Sequence, residues 1–333
     1  MTETPGADVP RALAVVGPTA AGKSRLGLVL AERLGLPVWC CDSVQVYRGL
    51  DVGSAKPDAS ELRRVRHALF DLVAPDEPFS AGDYARAAHA ELGRGPGVFV
   101  GGTGFYLSAV TFATSGSDVD VPPDDPRRAA FEREHLQRED GEPGAVHRAL
   151  LAIDPDSATQ IHPRNVVRAL RALWLSELHG EPVSAVRRRD PPQRKAALLL
   201  VVVEPDRAQL DRAIAARCES MLAAGWLDEV VALRSAGYHP GLKSMRSLGY
   251  KQLLDHLEGR CGLEEAKQDV IVATRRYARR QMTYFRHQLQ DERRLTVHSV
   301  SDLLGDTHAL DQLLGEARCF LDGSASDPMG EST

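Results

Sequence analysis

The pattern of apolar residues predicts short buried strands that alternate with helices. Short, mostly apolar runs of strand length occur at residues 12–16, 37–41, 67–73, 97–102 and 196–203, and helical periodicity fills most of the intervals. Strands that alternate with helices form a parallel sheet covered by helices on both faces. The predicted fold class is therefore α/β, with a parallel sheet flanked by helices.

The strand pattern stops between about Ser115 and Lys195, where Pro-rich turns bracket segments of helical periodicity. We interpret this stretch as a helical insertion. The predicted domains are a core of residues 1–115 and 196–322, a helical insertion of residues 116–195, and a disordered tail of residues 323–333, whose composition is polar and rich in small residues. After residues 196–203 we predict only helices.

Composition describes a class of protein rather than a function. The 333 residues are 43% hydrophobic and 26% charged, with a formal net charge of -5, so a nucleic-acid partner would need a local basic patch. The N-terminus lacks the features of a signal peptide, and the longest apolar run is too short to span a bilayer. Five cysteines without a C-x-x-C pair argue against a disulfide framework or a zinc site. We therefore predict a cytoplasmic protein without a membrane partner, and we expect a monomer.

A phosphate-binding loop follows the first predicted strand. The segment "GPTAAGKS" matches the P-loop pattern G-x-x-x-x-G-K-S/T and stands before a predicted helix, as the motif requires. Its backbone N–H groups and the helix N-terminus suit phosphate oxygens, its lysine adds a charge, and its serine hydroxyl suits Mg²⁺. This pattern alone leaves open whether the ligand is a nucleoside triphosphate or an organic diphosphate. The predicted phosphate site consists of Gly17, Pro18, Thr19, Ala20, Ala21, Gly22, Lys23 and Ser24, with Ser24 as the Mg²⁺ ligand.

Two further loops follow predicted strands and carry candidate chemistry. Asp42 and Ser43 stand after residues 37–41, at the carboxyl edge of the sheet where doubly wound folds bind ligands. Asp42 is consistent with a helix cap, with a magnesium ligand or with a general base. In "GGTGFY", the glycines permit close backbone approach and Thr103 offers a hydroxyl, although a glycine turn with a threonine cap has the same pattern.

Five blocks in sequence order resemble the signature motifs of the tRNA dimethylallyltransferases. They are "GPTAAGKS", "DSVQVYRGLDVGSAKP", "GGTGFYL", "RSLGYKQ" and "TRRYARRQMTYFR", and they extend from Gly17 to Arg286. The resemblance implies a P-loop NTPase-like fold and a bacterial-type enzyme. It also implies transfer of a dimethylallyl group from dimethylallyl diphosphate to the exocyclic amine of the adenosine 3′ of the tRNA anticodon, with Mg²⁺ as cofactor.

The resemblance also assigns roles to individual residues. It makes Asp42 the general base, places Thr103 at the reacting centre, makes Gln45 the residue that recognises adenine, and makes Arg217 a ligand of the diphosphate. The chemistry agrees, because an aromatic amine is a poor nucleophile and the departing diphosphate gains negative charge. By sequence alone Arg217 is also consistent with an arginine on an exposed helix face that binds no ligand.

A local basic patch appears near the C-terminus, where the segment 274–286 carries five arginines and no acidic residue. Arginines interleaved with aromatic residues suit phosphate contacts and stacking on unpaired RNA, although a solvated basic face has the same pattern. Together with the family blocks, the predicted contacts with the tRNA anticodon stem-loop are Asp42, Ser43, Val44, Gln45, Gln160, Ile161, His162, Pro163, Arg164, Arg168, Arg246, Gly249, Tyr250, Lys251, Arg275, Arg279, Arg280 and Gln281.

Three other functions compete with this interpretation. A P-loop kinase would need residues for a nucleoside base and an acceptor hydroxyl, which we do not identify. A non-catalytic P-loop switch or RNA-binding module is a second alternative. The third keeps the prenyl transfer but changes the acceptor to free AMP, and the basic helix and the insertion favour RNA instead.

Overall fold

The protein is described from a computed structural model, which defines residues 9–112 and 125–324. Within these residues six parallel strands form one sheet in the order β3-β2-β4-β1-β5-β6. The strands are β1 (Arg11–Val16), β2 (Val38–Cys41), β3 (His67–Ala68), β4 (Val98–Gly101), β5 (Ala197–Val203) and β6 (Arg293–Val297). The parallel sheet and the α/β class predicted from the sequence are confirmed.

Two strand predictions were wrong. The run at residues 67–73 pairs as a strand only at His67–Ala68, because Leu69 and Asp71 adopt positive φ angles of 67° and 53° and turn the chain away. The strand β6 was missed. Its sequence "RRLTV" begins with two arginines and forms the edge of the sheet beside β5, where charged side chains are common and the apolar signal is weak.

Helices cover the sheet and form the insertion. Their bounds are α1 (Lys23–Leu34), α2 (Ala59–Arg64), α3 (Ala81–Leu92), α4 (Gly104–Thr111), α5 (Pro126–Gly141), α6 (Ala145–Ile153), α7 (Pro155–Gln160), α8 (Val166–His179), α9 (Val183–Arg189), α10 (Arg207–Ala223), α11 (Trp226–Ser235), α12 (Tyr250–Leu257), α13 (Leu263–His287), α14 (Val300–Gly305) and α15 (Thr307–Asp322). None of the helices in the described ranges is long and apolar enough to cross a bilayer.

The core unit buries one face of the sheet under the P-loop helix. Side chains of β1 and β5 such as Leu13 and Leu199 pack with Leu26 and Leu30 of α1 and with Leu314 of α15. All five of these side chains are almost fully buried. Burial of each such side chain stabilises the fold by about 1.5–3 kcal/mol relative to exposure. The packing therefore fixes α1, and with it the start of the helix, against the carboxyl ends of the strands.

The chain divides into two compact units, one of residues Phe112–Arg194 and the other formed by the segments on either side. The smaller unit consists of α5–α9 around a cluster that includes Leu150, Ala169 and Leu173. The sequence placed the insertion at 116–195. Of the predicted tail, residues 323–333, the part beyond Ser324 lies outside the described residues.

Candidate active site

The P-loop joins the end of β1 to the start of α1. Gly17 has a φ angle of 140°, and a Cβ there would lie 2.4 Å from the carbonyl oxygen of Val203 on neighbouring β5, so only glycine fits. The Lys23 ammonium donates a hydrogen bond of 2.6 Å to the Pro18 carbonyl across the loop. Ser24 is exposed in the first turn of α1. The loop is thus curled around its lysine, in the form that a phosphate cradle takes.

Two cations lie near Asp42 beside this loop. Burial lowers the pKa of Lys23 to about 7, the Arg217 guanidinium acts in the same direction, and the Asp42 carboxylate opposes both. Burial likewise lowers the pKa of Arg217, again opposed by Asp42. Two neighbouring cations in partly desolvated surroundings favour an anionic ligand, because its negative charge offsets the cost of burying them and their repulsion. Arg217, predicted from the family pattern alone, therefore lies within electrostatic reach of the P-loop lysine.

The loops after β2 and β4 are joined by hydrogen bonds. The Ser43 backbone N–H donates to the Thr103 hydroxyl at 3.1 Å, and the Thr103 N–H donates to the Cys41 carbonyl at 3.1 Å. Asp42 stands between these contacts, and its Oδ1 accepts the Val44 N–H at 2.8 Å. The two residues predicted to be catalytic, Asp42 and Thr103, are distant in the chain and adjacent in the structure.

Gln45 is held by protein groups in this structure. Its amide nitrogen donates to the carbonyls of Ser54 and Ala55 at 2.9 and 3.0 Å, and its amide oxygen accepts the Cys40 thiol at 3.3 Å. Both N–H groups of the amide are therefore used within the loop. Its predicted role in adenine recognition stays a prediction, and the structure shows a part in holding the loop that carries Asp42.

Glu229, which the sequence did not single out, supports this loop from α11. Its carboxylate accepts the backbone N–H groups of Asp51, Val52 and Gly53 at 2.8, 2.6 and 3.1 Å, and the Tyr250 hydroxyl donates to it at 2.7 Å. A carboxylate that accepts several donors makes strong hydrogen bonds. Glu229 therefore fixes the turn at Asp51–Gly53.

Trp226, also missed, packs between two glycines. A Cβ at Gly53 or at Gly249 would lie 1.9 or 2.1 Å from the Trp226 ring. These glycines belong to two of the quoted motifs, "DVGSAKP" and "RSLGYKQ", and a glycine inside a motif is a signal that another group approaches closely. That signal identifies the two positions, but only the fold identifies the tryptophan between them.

Basic residues from two predicted tRNA-contacting motifs meet at one surface. A cleft of about 380 Å³ is lined by Arg246 and Lys251 of the "RSLGYKQ" segment and by Arg276 and Arg280 of α13. These four side chains are exposed, and so is Arg279. We call these five residues the basic surface. It provides the local positive charge that the overall net charge of -5 conceals.

Four other predicted tRNA contacts in the core unit face protein, and four more are partly exposed. Arg275 forms an ion pair with Asp211 at 3.3 Å, and Tyr250 is buried with its hydroxyl on Glu229. Gly249 lies against Trp226, and Gln281 is 5% exposed. Asp42, Ser43, Val44 and Gln45 are partly exposed.

In the helical unit, the predicted contacts lie around the start of α8. Gln160, His162, Pro163, Arg164 and Arg168 are exposed, whereas Ile161 packs partly against the apolar cluster of the unit. The Asn165 side chain caps α8 by accepting the Arg168 N–H at 3.3 Å. The exposed arginines are thus presented by a capped helix end.

A family model described as IPP transferase matches residues 45–288. The chain belongs to the IPP transferase family. A relative from Gloeobacter violaceus named tRNA dimethylallyltransferase is 44% identical over 82% of this chain and 88% of its own length. A relative of the same name from Pelotomaculum thermopropionicum is 39% identical over 82% of this chain and 87% of its own.

Solved structures of IPP transferases share the fold. The full-length tRNA isopentenylpyrophosphate transferase from Bacillus halodurans is 30% identical, with a TM-score of 0.62 over 93% of this chain and 98% of that one. A eukaryotic dimethylallyltransferase acting on tRNA has a TM-score of 0.78 at 21% identity, which shows likeness of fold. The predicted P-loop NTPase-like architecture and the predicted family are both confirmed.

Proposed function

We propose that this protein transfers a dimethylallyl group from dimethylallyl diphosphate to the exocyclic amine of the adenosine 3′ of the anticodon in tRNA. The products are isopentenyladenosine in the tRNA and free diphosphate. Membership of the IPP transferase family supports the reaction class. Within the chain, the proposal depends most on the hydrogen bond between Ser43 and Thr103, which brings Asp42 and Thr103 together beside the P-loop cations.

Asp42 is the proposed general base. In the reaction the adenine amine nitrogen forms a bond to the first carbon of the dimethylallyl group, the bond from that carbon to the diphosphate oxygen breaks, and one amine proton passes to the Asp42 carboxylate. Its Oδ1 is held by the Val44 N–H, which fixes the orientation of the carboxyl group. A positioned base of this kind contributes about 10²–10⁴-fold to the rate.

Lys23, Arg217 and the P-loop backbone are proposed to hold the diphosphate. Negative charge grows on the diphosphate as the allylic carbon–oxygen bond breaks, and fixed cations in a partly desolvated site stabilise that charge. Burial lowers the pKa of Lys23 to about 7, so a bound diphosphate favours its charged form, and the Arg217 guanidinium adds a second positive charge beside it.

The residues present suit one Mg²⁺ ion bound together with the diphosphate. The described residues contain no group of three or more His, Cys, Asp or Glu side chains that could hold a metal. Mg²⁺ bound with phosphates needs only one or two protein oxygens, since it keeps several waters. Ser24, exposed at the start of α1, would supply such an oxygen. The ion would neutralise part of the charge on the leaving diphosphate.

The acceptor is proposed to be RNA because exposed arginines and lysine cluster in both described units. The basic surface of the core unit suits phosphate contacts, and the exposed Arg164 and Arg168 of the helical unit suit further ones. An adenine inside a folded anticodon loop must leave its stack to reach Asp42. A monomeric state and a cytoplasmic location stay predictions from the sequence.

One experiment tests the proposal. The protein is incubated with Mg²⁺, labelled dimethylallyl diphosphate and unmodified tRNA, and in parallel with AMP in place of tRNA, or with ATP and small metabolites. We expect label in tRNA, at the adenosine 3′ of the anticodon after nuclease digestion. Label in AMP alone would overturn the acceptor, and ATP turnover without prenyl transfer would overturn the reaction class.

A further inference from the structure

The long helix α13 places one of its faces against the loop that carries Thr103. Residues 277, 281, 284 and 285 are spaced by four, three and one, which puts them on one side of a helix. Along this side the Tyr277 phenol lies near the Thr103 side chain, and the Tyr284 and Ser108 hydroxyls are 2.6 Å apart. The same helix exposes Arg276, Arg279 and Arg280 of the basic surface.

Gln281 is the residue of this face that reaches two loops at once. Its amide oxygen accepts the Thr19 N–H of the P-loop at 2.9 Å, and its amide nitrogen donates to the Gly102 carbonyl at 3.0 Å. The Thr19 N–H needs an acceptor and the Gly102 carbonyl needs a donor. These two partners therefore fix which end of the Gln281 amide is the oxygen and which is the nitrogen. The side chain is 5% exposed, so water competes little for these bonds.

Gln281 makes its two hydrogen bonds just beyond the last paired residues of β1 and β4. The ladder between β1 and β4 ends at the pair Val16 and Gly101, and the loops that follow are no longer held together by strand pairing. Gln281 bridges the loops after that last pair. One of these loops is the proposed phosphate cradle, and the other carries Thr103.

The contact leaves no room for a side chain at Gly102. A Cβ there would lie 1.9 Å from the Gln281 amide nitrogen and 3.0 Å from its amide carbon. Alanine at residue 102 would therefore displace the Gln281 amide while leaving residue 281 itself unchanged. A substitution at residue 102 or at residue 281 would therefore disrupt the same bridge.

We infer that Gln281 is a positioning residue, which holds the P-loop in register with Thr103 so that the bound diphosphate and the acceptor amine meet correctly. It acts through Thr19 and Gly102 and not by contact with RNA. This inference rests on the proposed prenyl transfer. Loss of a bridge that permits a shift of about 1 Å is expected to lower turnover by up to about 100-fold.

The test compares Gln281→Met with Gln268→Met. Methionine keeps the length of the side chain and removes both hydrogen bonds, and Gln268 is an exposed glutamine of the same helix. For Gln281→Met we expect kcat to fall about 10-fold to 100-fold and the Kd for tRNA to change less than about threefold, because the basic surface is intact. For Gln268→Met both should match the unchanged protein. Rates are measured well below the melting temperature, per folded molecule.

A double-mutant cycle separates positioning from a general loss of stability. Gly102→Ala alone should lower kcat as Gln281→Met does, and the double variant should be no slower than about the worse single one, because all three break one bridge. Additive losses, an unchanged kcat in folded Gln281→Met, or a loss confined to tRNA binding would each overturn the inference. Failure of the unchanged protein to prenylate tRNA would instead overturn the proposed function.

Discussion

Ser43 donates its backbone N–H to the Thr103 hydroxyl at 3.1 Å, although 60 residues separate them in the chain. The bond is possible because β2 and β4 are neighbours in the sheet and both loops leave its carboxyl edge. It places Asp42 next to Thr103. The proposed base is therefore positioned by a contact between two loops as well as by its own turn.

Replacing Thr103 by valine tests this contact. Valine keeps the shape of threonine but leaves the Ser43 N–H without its acceptor, so we expect kcat to fall about 10-fold to 100-fold and the free energy of unfolding to fall by about 1–3 kcal/mol. Steady-state prenyl transfer and urea unfolding measure the two effects. Thr296→Val, at an exposed position of β6, is the matched control and should change neither. Wild-type turnover in Thr103→Val would exclude a role for this contact in the reaction.

Asp42→Asn is expected to keep diphosphate binding and to lower turnover by about 100-fold or more. Asparagine retains an oxygen for the Val44 N–H but has no basic carboxylate. Asp58→Asn is the control, because Asp58 accepts two backbone N–H groups in the same way at the exposed start of α2. Single-turnover kinetics and pyrophosphate binding provide the readouts. A near-normal rate in Asp42→Asn would remove Asp42 as the base.

The lowered pKa of Lys23 predicts that diphosphate binding takes up a proton. With a pKa of about 7 the Lys23 side chain is mostly neutral at pH 8 in the free site, and a bound anion raises its pKa so that the ammonium forms. At pH 6 Lys23 is already mostly charged, so diphosphate binding causes little further proton uptake. Affinity should therefore fall as pH rises above about 7, by at most about tenfold for each pH unit.

Calorimetry in two buffers of different ionisation enthalpy measures this uptake. Dimethylallyl diphosphate without tRNA is a suitable probe at pH 8, because the terminal phosphate of a diphosphate ester, with a second pKa of about 6, is already ionised there. Lys23→Met removes the titrating group and should abolish the uptake in whatever binding remains. Uptake that is equal at pH 6 and pH 8, or absent at pH 8, would contradict the prediction.

Glu229→Gln should weaken the loop that follows Asp42. The carboxylate accepts Asp51 and Val52 on one oxygen and Gly53 and Tyr250 on the other, and the glutamine amide replaces one of these oxygens by an NH₂ group. Two donors then lose their acceptor, so we expect a loss of about 1–3 kcal/mol in the free energy of unfolding. Hydrogen exchange at residues 51–53 should become faster. Asp228→Asn changes a neighbouring carboxylate of α11 and serves as the control. Unchanged exchange in Glu229→Gln would show that the loop is held by other contacts.

The basic surface predicts a salt-dependent affinity for tRNA. Neutralising Arg279 and Arg280 together, as glutamines, should weaken binding and should reduce the slope of log Kd against log salt by about 0.7–0.9 for each phosphate that the variant no longer neutralises. Arg318→Gln replaces an exposed arginine of α15, outside the basic surface, by glutamine and should leave the slope unaltered. An unchanged slope in the double variant would place the RNA elsewhere.

Much of the fold could be predicted from the sequence, since β1, β2, β4 and β5 are continuous apolar runs that are buried on both faces. The edge strand β6 could not. Arg293 pairs with Glu316, and Arg294 donates to the Phe285 carbonyl at 2.6 Å, so both charges are satisfied by partners outside the strand. The local pattern of apolar and polar residues gives no information about those partners.

The sequence by itself determined the P-loop, the order of the motifs and the family, because these depend on residue types at short, fixed spacings. Only the tertiary structure decided the surroundings of each polar side chain. Gln281 stands among arginines in the sequence yet is buried between two loops, and Gln45 and Tyr250 likewise face protein. The physical reason is that burial and hydrogen-bond partners depend on segments that meet only when the sheet has formed.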